Sequence, residues 1–264
     1  MVNLIKNELF KMKKDKSLKV ALIVTLILTV ITILSNMLVN ELFENIPDDE
    51  MIAGLFFDVK YSVSTFFSLG NNFGFILPIF IAIFICKDFS YGTIRNKIIA
   101  GYSKTKVYLS TLFSSMFIGI VLVLINLALT IILSLALLKG NVEIVWLLKI
   151  CGLGILVYIE TLSFITMIAM ITRSQSLTII TSMGVIFIGI IAVSILDLYD
   201  TTRIISDFIF LKHSNIITSQ GASVIDSNYA LTFGRTIRIL ASSVLFIGGT
   251  TMLGMYTFKQ KDLK

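Results

Sequence analysis

Few residues in this 264-residue chain could do chemistry. It has one histidine, His213, which excludes a His-Glu-x-x-His zinc helix and any multi-histidine metal site. It has no Gly-x-Ser-x-Gly nucleophile elbow, and no glycine precedes a lysine as in a phosphate-binding P-loop. We therefore predict no catalytic residue and no metal site, and no ATP hydrolysis of the P-loop type by this chain alone. Because His213 follows Lys212 in a polar connection, we expect it at the surface.

Glu160 is the one acid within a long apolar stretch, about ten residues from its start. At 1.5 Å per residue, that position is near the middle of a bilayer. A carboxylate there must face protein or a water-filled cavity. It must also be protonated or find a hydrogen-bond donor, and Asn126, near the middle of the preceding apolar stretch, is a candidate partner. The two residues either line a substrate path or form a hydrogen bond that fixes helix packing.

The elements that would position these residues are membrane helices. The chain is 56% hydrophobic and only 14% charged, with a mean hydropathy of +0.94. Such a composition excludes a soluble catalytic domain, and stretches of about 20 apolar residues can each cross a bilayer. We predict an all-α membrane protein that forms a single domain over 1–264. Its six spans are predicted at about 20–40, 66–86, 107–138, 150–172, 175–196 and 239–258.

The charges predict the orientation of these spans. If both termini are cytoplasmic, 15 of the 22 basic residues lie on the inner side, while acidic residues crowd the first outer connection, at 41–58. The net charge of +6 then belongs beside the anionic inner leaflet, so it predicts a lipid bilayer as partner and no nucleic acid. Ile5, Leu9 and Met12 recur at helical spacing among lysines, which predicts an amphipathic interfacial helix before the first span.

The inner loop between the second and third spans is the most informative connection. Gly92 allows a tight turn and Thr93 can cap a short helix. Ile94, Ile98 and Ile99 lie on one side of that short helix, and its other side carries Arg95 and Lys97. Gly101 can end that helix and Ser103 can cap the next one. A short helix at the inner surface is suited to docking a cytosolic partner.

The segment from Asp88 to Lys104 resembles the acid-x-x-x-Gly-Thr…Gly/Pro-x-Ser-Arg/Lys signature of permease subunits of bacterial ABC type-2 exporters. Two further segments match that family: Glu-Leu-Phe-Lys at 8–11, and Phe-Lys-Gln-Lys-Asp-Leu at 258–263. The resemblance covers the whole chain. Asp88 stands where the family often has glutamate, a difference that keeps the charge.

The resemblance implies a multi-pass protein of the bacterial plasma membrane that exports amphipathic or antimicrobial peptides or another hydrophobic substrate. It implies a dimer of cytosolic ABC ATPase subunits that binds the ATP and magnesium, and a second permease subunit, identical or homologous. The short helix would then be a coupling helix seated on the ATPase. The coupling residues so implied are Asp88, Tyr91, Gly92, Thr93, Ile94, Arg95, Lys97 and Ile98, and the substrate path would include Glu160 and Asn126. An ion-coupled secondary transporter, and a membrane enzyme or scaffold that transports nothing, are the alternatives.

Overall fold

The computed structural model describes residues 2–44, 57–198, 206–222 and 229–261. Within these ranges the chain is all-helical and holds no strand. The helices are α1 (Val2–Lys14), α2 (Lys16–Glu44), α3 (Val59–Phe66), α4 (Asn72–Ser90), α5 (Thr93–Ile99), α6 (Lys104–Leu137), α7 (Ile144–Thr172), α8 (Gln175–Leu196), α9 (Phe210–Ser219) and α10 (Phe233–Gln260).

Six of the described helices are long and apolar enough to cross a membrane, as the sequence predicts. They cover Lys16–Leu42, Phe73–Ser90, Lys104–Leu137, Ile144–Thr172, Gln175–Leu196 and Phe233–Gln260. We treat the chain as a multi-pass membrane protein on this basis. Helix α7 is the central one: 72% of the residues in its most apolar stretch are buried inside the protein, against 17% for the corresponding stretches of α2 and α8.

The second span differs from its predicted range of 66–86. The chain is helical in α3 up to Phe66, leaves the helix at residues 67–71, and starts α4 at Asn72. Gly74 makes this break possible, because a Cβ at that position would lie 2.6 Å from the backbone of Leu69. The segment stays apolar on both sides of the break, so its hydropathy does not predict where the helix is interrupted.

Side chains from other helices satisfy the backbone groups that the break exposes. The Ser214 hydroxyl of α9 donates to the Phe67 carbonyl at 2.9 Å and accepts from the Leu69 amide at 2.9 Å. The Tyr158 hydroxyl of α7 donates to the Phe66 carbonyl at 2.8 Å. Non-helical backbone within a membrane protein needs such partners. The break therefore ties α3 and α4 to both α7 and α9.

Hydrogen bonds between hydroxyl groups, and one close glycine contact, join α7 to α6 and α10. Ser115 of α6 bonds Thr166 at 2.8 Å, and Ser163 bonds Thr250 of α10 at 2.8 Å. Gly119 of α6 packs directly on Leu162, where an added Cβ would lie 2.4 Å from that side chain. Small residues and interhelical hydrogen bonds are the usual means of packing membrane helices.

The short helix predicted after the second span is α5. Gly92 precedes it with φ +66°, and Thr93 is its first helical residue, not its cap. Gly101 follows α5 with φ +91°, and the Ser103 side chain caps α6 by accepting from the Lys106 amide. The expected turn residues thus bound α5, with Gly92 in the capping position that the sequence assigns to Thr93.

Candidate functional site

Helix α1, the end of α4 and helix α5 meet in a cluster of buried charges. Asp88, at the end of α4, has no exposed surface, and Glu8 of α1 is 2% exposed. Lys11 of α1 forms an ion pair with Asp88, and Lys97 of α5 forms one with Glu8. Lys97 Nζ also lies 3.4 Å from Asp88 Oδ2. We call these four residues, Glu8, Lys11, Asp88 and Lys97, the α1–α4–α5 ion-pair cluster.

A second ion pair extends this attachment to the start of α2. Lys87 Nζ lies 3.0 Å from Asp15 Oδ1, and the Ser17 amide donates to the same carboxylate oxygen at 2.9 Å. Burial raises the pKa of Asp15, but the hydrogen bonds from Ser17 and Lys87 outweigh burial and hold that pKa below its ordinary value. Two of the three segments that carry the family resemblance, Glu8–Lys11 and Asp88–Lys104, are therefore joined directly. Of the third, at 258–263, residues 262 and 263 lie outside the described part of the chain.

The open face of α5 is only in part the apolar side that the sequence predicts. Ile94 is 1% exposed and belongs to the chain's own core, and Ile98 packs against that core. Ile99, from the same predicted side, is 73% exposed, and Arg95, four residues before it, is exposed with it. Tyr91, in the preceding turn, is 76% exposed. We call Tyr91, Arg95 and Ile99 the exposed stripe; Ile94 is corrected from a docking residue to a core residue.

Gly92 orients α5 through its backbone conformation. Its φ of +66° is left-handed, and a Cβ added there would meet nothing within 4 Å. Side chains other than glycine and asparagine disfavour this conformation by about 1–2 kcal/mol. The requirement for glycine is therefore conformational rather than steric.

Glu160 pairs with His213, not with Asn126. Both Glu160 and His213 are fully buried, and His213 Nδ1 lies 3.1 and 3.2 Å from the two Glu160 carboxyl oxygens. The expectation of a surface histidine is wrong, because α9 turns into the bundle and buries seven of its ten residues, packing mainly against α3, α7 and α8. The expected Glu160–Asn126 pair is likewise wrong.

The neighbours of His213 assign a hydrogen to its Nε2 atom. Nε2 is 3.1 Å from the Asp207 carbonyl, which can only accept, so Nε2 carries a hydrogen. The Ser242 hydroxyl, 3.0 Å away, donates to the Arg238 carbonyl and accepts from Nε2. One further proton must then lie between Nδ1 and the carboxyl group, either on Glu160 or on His213. In both forms the pair has no net charge, which lowers the cost of burying it.

Further charges lie next to this pair in the α8–α10 region. Lys212 is 1% exposed, and its Nζ lies 2.6 Å from Asp197 Oδ1 and 3.2 Å from Asp207 Oδ1. Arg235 Nε and Arg238 Nη2 each lie 3.4 Å from Asp207 Oδ2. Burial raises the pKa of Asp197, but hydrogen bonds from Lys212, Ser206 and Tyr229 outweigh it and lower that pKa overall.

A half-open cleft with a volume of about 290 Å³ lies between α2, α3, α4 and α6. Hydroxyl and amide side chains line it along α2, from Thr25 through Thr29 and Thr32 to Asn36. Ser62 and Thr65 of α3 and Thr130 of α6 continue that lining, and its apolar wall includes Leu28, Ile33, Phe66, Phe73 and Ile76. We call this space the α2 cleft.

Asn126 lies beneath the α2 cleft and supports its polar wall. Its side-chain NH₂ donates to Thr25 Oγ1 at 3.0 Å, and Thr29 Oγ1 donates to its carbonyl oxygen at 3.2 Å. Glu160 does not line this cleft. The two residues predicted to share a substrate path are thus apart: Asn126 supports the cleft, and Glu160 belongs to the pair with His213.

Two sequence signals point to features that the sequence interpretation missed. Thr25, Thr29, Thr32 and Asn36 recur at intervals of four, three and four residues, which places them on one helix face inside an otherwise apolar span. The α9 segment places Ile216 and Ile217 three and four residues after His213, so the histidine shares a face with apolar side chains. The first signal reveals the cleft, and the second argues against a surface position for His213.

The family comparison matches most of the chain. The model of a family described as "Protein of unknown function (DUF2705)" matches residues 47–264. The chain belongs to this family. No curated protein matches the sequence. Family membership therefore covers α3 to α10, the region that contains the exposed stripe and the Glu160–His213 pair, but assigns neither of them a role.

Proposed function

We propose that this chain is the transmembrane permease subunit of a bacterial ATP-binding-cassette exporter. The observation that carries the proposal is the exposed stripe: Arg95 and Ile99 of α5, with Tyr91 of the turn before it, are open, while the other side of α5 is fixed to the bundle. Ion pairs from α1 and the buried Ile94 hold that helix at the inner end of α4. A rigid helix with an open mixed surface is suited to transmitting force from a partner.

In this proposal both termini face the cytoplasm of a cell whose plasma membrane the six helices cross. A dimer of separate ATPase subunits binds ATP and magnesium and docks on the exposed stripe, and a second permease subunit completes the transporter. Helix α1 lies at the inner interface: Leu4 is buried, while Phe10 is 62% exposed with the Lys14 ammonium 4.6 Å from its ring centre. The exported substrate is an amphipathic peptide or another hydrophobic molecule.

An ion-coupled secondary transporter is the second candidate, and the Glu160–His213 pair favours it. A carboxyl group and an imidazole that share one proton in the interior of a membrane protein are the components of a proton relay. Under this alternative, transport depends on a proton gradient and on Glu160. Under the exporter proposal, the same pair joins α7 to α9, and transport depends on ATP.

Copurification tests the exporter proposal. The tagged chain, extracted from membranes of its native host after mild crosslinking, should retain an ATPase subunit with a P-loop in about equimolar amount. Ile99→Asp places a charge in the centre of the exposed stripe and should reduce that amount at least tenfold, since loss of a central apolar contact costs about 2 kcal/mol or more.

Thr105→Asp is the matched control, because Thr105 is exposed on the same inner surface but lies outside the stripe. It should leave the ATPase yield unchanged. An ATPase that is absent from the wild-type preparation, or that is retained equally by both variants, would contradict the proposal.

A further inference from the structure

We propose that the α2 cleft binds an uncharged amphiphile, a lipid-like molecule that enters from the bilayer. The inference rests on the proposed function in one respect: it names the chemical class of the exported substrate. The binding itself concerns this chain alone and is measured without an ATPase.

The chemistry of the lining excludes a charged ligand group. Among the described residues that line the cleft, every polar side chain is a hydroxyl or an amide, and none is acidic or basic. A cationic or anionic group moved from water into such a site would lack a counter-charge, at a large cost in free energy. Neutral hydroxyl, ester or amide groups can instead exchange hydrogen bonds with the threonines and asparagine of α2.

The polar wall is fixed before any ligand binds. Asn126 holds Thr25 and Thr29 in place from below, and the Asn36 amide donates to Ser62 Oγ at 3.3 Å across the gap between α2 and α3. At the other end, Asn71 donates to the Thr65 carbonyl at 3.0 Å. Preorganised groups bind a ligand at a smaller entropic cost. The volume of about 290 Å³ is near the lower end of the range for small-molecule sites, so it fits a headgroup with the first part of a chain.

The position of the cleft gives access from the bilayer. The polar row from Thr25 to Asn36 lies well inside the span Lys16–Leu42, so the cleft is at the depth of the hydrocarbon region. Its apolar wall, which includes Leu28, Ile33 and Phe73, is at the same depth. An amphiphile in the bilayer can therefore keep its chain against this wall while its neutral polar group bonds the hydroxyl and amide groups of α2.

Photolabelling of the purified full chain in phosphatidylcholine nanodiscs tests the proposal. The probe is a monoacylglycerol with a diazirine in its acyl chain, and the controls carry the same chain on a trimethylammonium or a carboxylate group. We expect the neutral probe to label peptides of α2 and α3 at least tenfold more than either charged probe does. Thr32→Val, which removes one lining hydroxyl at nearly constant volume, should lower neutral labelling several-fold.

Asn36→Asp provides the decisive variant, since it introduces one carboxylate into the lining with almost no change in shape. It should shift the labelling ratio at least tenfold in favour of the cationic probe. Ser35→Asp, on the adjacent exposed position of α2, should leave the ratio unchanged. Equal labelling by the three probes, labelling outside α2 and α3, or the same response to both aspartates would overturn the inference. Such a failure with an ATPase still copurifying would leave the exporter proposal intact, and specific labelling without an ATPase would contradict that proposal alone.

Discussion

Asp88→Asn should lower the thermal unfolding temperature of the purified chain by about 6–12 °C, the largest stability effect that we expect. Removing one partner of a buried ion pair costs about 3–5 kcal/mol. Lys11 retains 32% of its side-chain exposure, so we expect about 3 kcal/mol. For a chain of this size, each kcal/mol of lost stability lowers the unfolding temperature by about 2–4 °C, so a loss of about 3 kcal/mol gives about 6–12 °C. The unfolding temperature is measured as the temperature at which the purified chain loses monodispersity.

Release of α1 should accompany this loss, because Asp88 is the group that holds Lys11 and Lys97 together. Trypsin should then cut α1 much faster than in the wild type. Asp88→Glu keeps the charge and should behave nearly as the wild type does. Asp15→Asn breaks the more exposed ion pair with Lys87, but its side-chain oxygen can still accept the hydrogen bond from the Ser17 amide. It should lower the free energy of unfolding by less than about 1 kcal/mol. Wild-type stability and protease resistance in Asp88→Asn would show that the α1–α4–α5 ion-pair cluster does not hold α1.

Glu160→Gln gives the second prediction: transport should persist, and stability should fall by no more than about 1–2 kcal/mol. The glutamine amide can donate to His213 Nδ1, so the buried histidine keeps a partner while its other nitrogen still donates to the Asp207 carbonyl. Glu160→Leu removes that partner and should cost about 2–3 kcal/mol, because Nδ1 is then buried and unsatisfied.

Transport assays with each variant distinguish the two candidate functions. A proton-coupled carrier cannot use glutamine in place of glutamate, so loss of transport in a stably folded Glu160→Gln chain would favour that function over the exporter. Equal stability of the Gln and Leu variants would instead show that the hydrogen bond to His213 does not stabilise the fold.

The six spans could be predicted because hydropathy over 20 residues is a local property of the sequence. The bounds of α5 could also be predicted, since Gly92, Gly101 and Ser103 act on the backbone beside them. Pairings between distant segments could not: Lys11 and Asp88 are 77 residues apart, and Lys97 and Glu8 are 89 apart. No pattern along the chain specifies which distant charge a lysine meets.

The same limit explains the corrected residues. Ile94 and Ile98 form a face of α5 in any helix, but whether that face turns to a partner or to the chain's own core depends on how α5 packs. His213 is in a connection by sequence, and its burial depends on α9 entering the bundle. The position of Asn126 in the middle of a span indicated a buried polar contact correctly, although its partners proved to be Thr25 and Thr29.

ATP hydrolysis in reconstituted membranes is the measurement that tests the central claim most directly. The chain alone should hydrolyse no ATP, and its addition should stimulate the copurified ATPase severalfold. The combined variant Tyr91→Ala, Arg95→Ala, Ile99→Ala should return hydrolysis to the rate of the ATPase alone. Lys106→Ala, which removes a basic residue exposed on the same surface, should keep full stimulation. Stimulation by the triple variant equal to that by the wild type, or no stimulation by the wild type, would contradict the claim that α5 couples this chain to an ATPase.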